Sequence, residues 1–464
     1  MFRIKKVISP SLKEAVFLTV FIILFISISI IKFDATPHIP ILFSSLLLMV
    51  YGLIKKIPYK KLEEGLVDGA RSGMAAVFLF FFIGILISSW MMSGTIPTLI
   101  YAGFNIITPI YFLAVIFIVT SIIGISIGSS LTTVATVGVA FIGMADAMDI
   151  SLAMTAGAIV SGAFFGDKMS PLSDTTNLAS TILNVDLFEH IRNMGWTTIP
   201  AFFITSIIFA MLSPNITTAA LDRIDIFKEG LLSTGLVHWY AIIPLIILLI
   251  MSMMKIPALL TLATSSISAI LLSFLHERPS MSQILDTLYN GYTSNIGIEA
   301  IDSLLTRGGL DSMLFTVGIV LLALSMGGLL FTLGIVQTLL QRIEKLLRKT
   351  ASVITTSALT AIGINILIGE QYLSVLLTGE AFQSQYEKVG LANKNLSRVL
   401  EDAGTVINPL IPWGVCGVFI TKVLGVPTLD YLPFAFFCLL SPILTIFYGM
   451  TGKTLTYIDR KAAQ

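Results

Sequence analysis

The chain has 464 residues, 55% of them hydrophobic and 12% charged, with a mean hydropathy of +0.93. Soluble domains carry about twice that charged fraction, and a net charge of +1 with no basic block gives no electrostatic footprint for nucleic acid. The two cysteines, Cys416 and Cys438, both fall in apolar segments, which excludes a disulfide framework and a thiolate metal site.

Arg3, Lys5, Lys6 and Lys13 lead into the apolar run "AVFLTVFIILFISISII" (15–31). That run is too long for the core of a signal peptide, and the following "KFDATPHIP" offers no small-residue cleavage site. It reads as a first membrane span. Apolar segments of about 17–20 residues recur as far as "FAFFCLLSPILTIFYGM" (434–450), and each is long enough to cross a bilayer. The alternating strands of a porin-type barrel are not seen. The expected fold is an all-α polytopic membrane protein with about 12–14 membrane segments.

Along the chain, four places interrupt apolar stretches with glycine, proline or hydrogen-bonding side chains. They are "GISIGSSLTT" (124–133), "GDKMSPLSDTTN" (166–177), "GINILIGEQYLS" (363–374) and "EDAGTVINPLIPWG" (401–414). A broken helix leaves backbone groups without partners, which a membrane tolerates only where protein, water or a ligand satisfies them. Between the second and third breaks lie "VDLFEHIRNMGW" (185–196), read as an amphipathic interfacial helix, and the polar linker "LDRIDIFKEG" (221–230). His38, His190, His238 and His276 all fall in or beside predicted loops and read as solvated or interfacial. A proton relay through the membrane would then rest on carboxylates.

The chain is written twice. "GTIPTLI" (94–100) aligns with "GIVQTLL" (334–340), and "IGSSLTTVATVG" (127–138) with "IGEQYLSVLLTG" (368–379). "LSDTTN" (172–177) is then paired with "LEDAGT" (400–405), which sets Asp174 opposite Asp402. Loop charges alternate between the copies. Lys55, Lys56, Lys60 and Lys61 precede the third span of the first copy, whereas Arg342, Lys345, Arg348 and Lys349 follow the third span of the second. Lysine and arginine mark the cytoplasmic side, so matching loops lie on opposite faces. The expectation is repeat 1 over 1–214, an external linker over 215–235 and an inverted repeat 2 over 236–464, with both termini cytoplasmic. Such repeats, with broken helices or re-entrant hairpins meeting at the midplane, mark secondary transporters.

Carboxylates inside a membrane are functional candidates by default. Asp174 ranks first, then Asp402 and Asp167, with Glu370 beside them; sodium is expected at Asp174 and Asp402. Glu401 and Lys168 read as helix-end ion-pair or snorkelling residues, and Lys168 also as a charge standing in for a departed cation. Ser129, Ser130, Thr132, Thr133, Ser173, Thr175, Thr176, Asn177, Asn365, Thr405 and Asn408 offer the neutral oxygens that small hard cations prefer. Any one of these hydroxyls could instead bond back to its own helix; their concentration at the breaks is the signal.

The segment "GDKMSPLSDTTNLAS" (166–180) closely resembles the signature of the NhaC family of sodium/proton antiporters, in the ion transporter superfamily. "EDAGTVINPLIPWGVCG" (401–417) and "LGVPTLDYLPFAFFCLLSPILTIFYG" (424–449) extend the resemblance over nearly the whole chain. It implies sodium/proton exchange at the plasma membrane of a bacterium by a multi-pass protein with no cofactor. Sodium and protons are the transported species, lipid is the surroundings, and a homodimer is compatible. The same family includes an exchanger of malate and protons for sodium and lactate, and amino-acid carriers, so a small carboxylate is the alternative cargo. The breaks contain no arginine, which favours a cation-only cargo. An intramembrane aspartyl protease is the remote rival; two aspartates suit it, but it leaves the duplication unexplained. The chain is expected not to be an enzyme.

Overall fold

The computed structural model describes residues 6–106, 109–213, 218–343 and 349–458. Arg3, Lys5, Lys345, Arg348 and the linker residues 215–217 lie outside the described residues. The fold is all-α, with two isolated bridge pairs and no strand among the described residues.

The first half contains α1 (Leu12–Phe33), α2 (His38–Ile54), α3 (Tyr59–Ser72), α4 (Met74–Met92), α5 (Thr95–Ile106) and α6 (Phe112–Ile127). It continues with α7 (Ser130–Ala147), α8 (Leu152–Met169), α9 (Asp174–Ile182) and α10 (Leu187–Leu212). The 215–235 segment is largely a helix, α11 (Thr218–Ser233). The second half contains α12 (Trp239–Met253), α13 (Ala258–Ser273), α14 (Met281–Asn290), α15 (Glu299–Leu305), α16 (Asp311–Thr332), α17 (Ile335–Ile343) and α18 (Thr350–Ile368). It ends with α19 (Gln371–Lys388), α20 (Asn393–Leu410), α21 (Val415–Leu424), α22 (Thr428–Phe434) and α23 (Phe436–Thr451).

Among the described residues six helices are long and apolar enough to cross a membrane, or up to eight if each bent pair counts as one span. The pair α20–α21 bends by 46° and α22–α23 by 58°. Phe17, Phe21 and Leu24 on α1, Ile199, Phe203 and Ile207 on α10, and Ile443 and Phe447 on α23 stand exposed. Large apolar side chains left outside a packed core in this way suit contact with lipid. The stretch read as an interfacial helix is instead the first three turns of α10, with His190, Asn193 and Met194 buried. Its polar His190 and Asn193 face protein, while Phe188 and Trp196 stand exposed.

Local geometry recurs between the halves. Gly94 and Gly334 take φ of +76° and +66°, and Gly128 and Gly369 take +70° and +77°, each ending a helix where a side chain would be strained. Ser129 and Glu370, one residue further on, are extended N-cap residues whose side chains accept the N–H of Thr132 and Leu373. Packing is exchanged in the same way: α2 and α3 lie on α16, and α13 and α14 lie on α4. Helices α4 and α16 run antiparallel, since Gly73 meets Val320 and Leu324 while Gly84 meets Gly309 and Met313. Backbones approach closely where α3 crosses α16, with a Cβ on Gly328 standing 2.1 Å from the Gly65 carbonyl oxygen, and where α6 crosses α8, with one on Gly166 standing 2.6 Å from the Gly124 backbone.

Candidate functional site

Three of the four sequence breaks open onto one cavity of about 700 Å³, and the helix that follows the fourth reaches it. Ile127 to Thr132 line it from the α6–α7 break, and Asp167, Pro171, Leu172, Asp174, Thr175 and Asn177 from the α8–α9 break. Glu370 to Leu373 come from the α18–α19 break, and Val415 and Cys416 from the start of α21. Ser72 at the end of α3 and Ser252, Lys255 and Thr261 from the α12–α13 hairpin add to the polar part, and the sequence reading missed them.

Three carboxylates meet here, and they differ in exposure. Asp174 opens α9 with its side chain exposed to the cavity, whereas Asp167 and Glu370 are only 5% and 9% exposed. Asp167 Oδ2 accepts the Ser130 hydroxyl at 2.7 Å and the Ser130 N–H at 3.1 Å, which ties the two first-half breaks together. These donors are possible because Gly128 in the left-handed region turns the chain and starts α7 beside α8. Glu370 Oε2 accepts the Leu373 N–H at 2.7 Å and caps α19.

Several other expected ligands are taken up by the scaffold. Ser173 caps α9, Thr176 donates to the Lys168 carbonyl, and Thr133 bonds back to the Ser129 carbonyl. Asn177 lines the cavity while its amide donates to the Pro171 and Ser173 carbonyls. Asn365 donates to the Gly404 carbonyl and accepts from Asn408, whose own Oδ1 takes the Cys416 N–H. Asn365, Asn408, Thr405, Thr133, Ser173 and Thr176 are absent from the cavity wall.

Asp402 departs furthest from expectation. It is fully buried off the cavity wall, paired with the equally buried Lys168 and accepting the Thr197 hydroxyl at 3.1 Å. Lys168 is therefore neither a snorkelling nor an interfacial residue; its ammonium lies 5.7 Å from the Phe437 ring centre. Glu401 beside it is fully buried, and among the described residues neither of its carboxylate oxygens meets a hydrogen-bond donor. The histidines divide too, since His190 is buried and bonded to the Ser397 hydroxyl at 2.8 Å.

The pairing of Asp174 with Asp402 fails for a geometric reason. Helix α8, its break and the start of α9 match α20, residues 411–414 and the start of α21 at the 241-residue offset that already relates Gly128 to Gly369. In that register Asp167 matches Asn408, Asp174 matches Val415 and Asp402 matches Ser161. The "LSDTTN"–"LEDAGT" match had slid to a different offset. Residues 400–405 form a π-helical stretch, and the break itself falls at 411–414.

A family model described as the Na+/H+ antiporter family matches residues 4–176 and 162–453. The Na(+)/H(+) antiporter NhaC of Alkalihalophilus pseudofirmus is 42% identical over 417 residues, covering 90% of each chain. The protein of the same name from Bacillus subtilis is 39% identical, covering 95% of this chain and 98% of its own. A Malate-2H(+)/Na(+)-lactate antiporter of Bacillus subtilis is 33% identical, covering 98% and 97%.

Proposed function

Because the chain belongs to the Na+/H+ antiporter family, we propose that its 700 Å³ cavity is where sodium is exchanged for protons, held by Asp167, Asp174 and Glu370. Exchange of sodium for protons by secondary active transport is the function of the chain. The observation that carries the site is convergence: three carboxylates from two separate chain breaks, one in each half, face one cavity. Ser129, Ser130, Thr132, Thr175 and unwound carbonyls supply neutral oxygens to complete the shell of a hard cation. Sodium favours the charged carboxylates and protonation removes that charge, so the two occupancies exclude one another. A carrier that reorients only when one or the other is bound exchanges them.

The recurring caps, the exchanged packing and the antiparallel run of α4 and α16 support inverted repeats that rock against each other. The loop charges support cytoplasmic termini, an external α11 and residence in a bacterial plasma membrane. A carrier role accounts for the buried carboxylates without hydrolytic chemistry. The alternative cargo, a small carboxylate moving with sodium, draws support from the malate-lactate relative.

The test is purified protein in liposomes, with sodium-driven proton movement followed by an internal pH dye. Asp174→Asn removes one charge at nearly constant volume and is expected to abolish exchange. In the wild type, apparent sodium affinity should weaken by about tenfold per pH unit on the acid side, for one competing proton. An affinity that stays constant from about pH 6 to about pH 9 would point instead to separate proton and sodium sites or to a cargo other than sodium alone.

A further inference from the structure

Helices α4, α16 and α21 each touch two cavities. Each lines the 700 Å³ cavity, α4 and α21 near their starts through Ala76 and Cys416 and α16 midway through Val320. Further along, Ile87, Ser312 and Lys422 of the same helices line a second cavity of about 300 Å³. The two are opposite in charge. The first holds Asp167, Asp174 and Glu370 against Lys255, whereas the second has Arg307 and Lys422 and no acidic residue in its wall.

Arg307 is held from behind. Its N–H and carbonyl exchange two hydrogen bonds of 3.1 Å with Tyr292. Gly308 and Gly309 follow at φ of +91° and +85°. A Cβ on Gly308 would stand 2.5 Å from the Ser88 nitrogen, and one on Gly309 would stand 2.4 Å from the Gly291 nitrogen. The backbone carrying the guanidinium is thus packed directly on α4 and on the chain before it. Among the described residues that guanidinium makes no hydrogen bond or ion pair, and Asp146, outside the cavity wall, is the acid whose charge acts on it. A half-buried fork of five donors without a partner, sharing a cavity with an ammonium, matches a carboxylate better than a cation.

The geometry points to a binding site for a small organic carboxylate in this second cavity, gripped by Arg307 as a fork, with Lys422 supplying a further charge. A volume of about 300 Å³ is at the lower end of the range for small-molecule pockets and suits a short hydroxy acid. The site goes beyond the sodium cavity and does not depend on it.

Calorimetric titration of L-lactate and of L-malate into the purified full-length protein tests this, at fixed sodium and pH with chloride as the ionic-strength control. Saturable binding of at least one acid is expected. Arg307→Gln and Lys422→Gln should each weaken it by about ten- to a hundredfold, the loss that follows removal of one charge-assisted pair. Sodium affinity should not change in either variant. Lys422 is exposed, so Lys422→Gln keeps the test alive if Arg307→Gln does not fold. A preference for malate would assign the two cations to two carboxylates, and equal binding would assign both to one. Wild-type protein that binds sodium but neither acid would overturn the site, as would acid binding unaltered in Lys422→Gln. Protein that binds an acid but no sodium would instead overturn the reading of the first cavity.

Discussion

Replacing Lys168 by methionine isolates what the buried ion pair contributes. Lys168 and Asp402 are both 0% exposed, so Lys168→Met leaves a carboxylate charge in the protein interior with the Thr197 hydroxyl as its hydrogen-bond donor and the buried Arg398 as the remaining cation acting on it. Breaking a buried pair from one side costs about 3–5 kcal/mol, most of it the stranded charge. Asp402→Asn should cost a similar amount by stranding the ammonium. The double variant Lys168→Met with Asp402→Asn strands nothing. The methionine keeps contact with the Phe437 ring, and the asparagine can still accept from Thr197, so most of the loss should be recovered. A double-mutant cycle in detergent, read by denaturant unfolding, should then give a coupling energy of about 2–4 kcal/mol. Lys168→Met costing under about 1 kcal/mol would place the pair in the range of solvated surface pairs and refute the burial argument. Transport by the double variant separates structure from mechanism: a folded protein with undiminished exchange would make the pair a scaffold alone.

Three further outcomes follow from single residues. Gly128→Ala should destabilise by at least about 1–2 kcal/mol, because φ is +70° and the new methyl would stand 2.5 Å from Leu172 Cβ; unchanged thermal stability would contradict it. A cysteine placed at Asp225 should react with an impermeant reagent from outside whole cells and one at Lys345 should not. Native Cys416 and Cys438 are buried and give little background, and the reverse pattern would sink the proposed orientation. The Ser294 hydroxyl and the Ile296 and Gly297 N–H groups, bonded to Asp302, hold its carboxyl below the ordinary value of 3.8. Its contribution is therefore present above 3.8 and lost as pH falls through the lowered value, so hydrogen exchange at Ile296 and Gly297 should accelerate only in that acid window.

Composition and apolar run length were enough to read an all-α membrane fold, because a bilayer leaves the backbone few alternatives. The four breaks were legible for the same reason: "GISIGSSLTT" and "GINILIGEQYLS" each carry the glycine that ends a helix in the left-handed region. Which side of a helix a break-proximal acid faces was not legible. Asp167 and Lys168 are neighbours in sequence, yet successive helical residues point about 100° apart. One lines the cavity and the other is buried against Asp402.

The repeat register shows where sequence similarity and geometry part. "LSDTTN" and "LEDAGT" share a leucine and an aspartate, which drew Asp174 toward Asp402. From Gly128 to the start of α9, helix ends and caps keep one offset of 241 residues because they are set by where backbone groups must find partners. Under that offset the acid Asp167 faces the amide Asn408, and the hydroxyl Ser129 faces the acid Glu370. Charge has thus been moved between halves while the backbone kept its plan. The first half sends Asp167 and Asp174 to the cavity. The second sends Glu370 alone, and its Asn408 and Asn365 staple the break instead. In the proposed mechanism, a cation held between unequal halves would bind each with different strength as they rock. That inequality is a physical basis for making the occupied and empty states of one scaffold differ in which face they open.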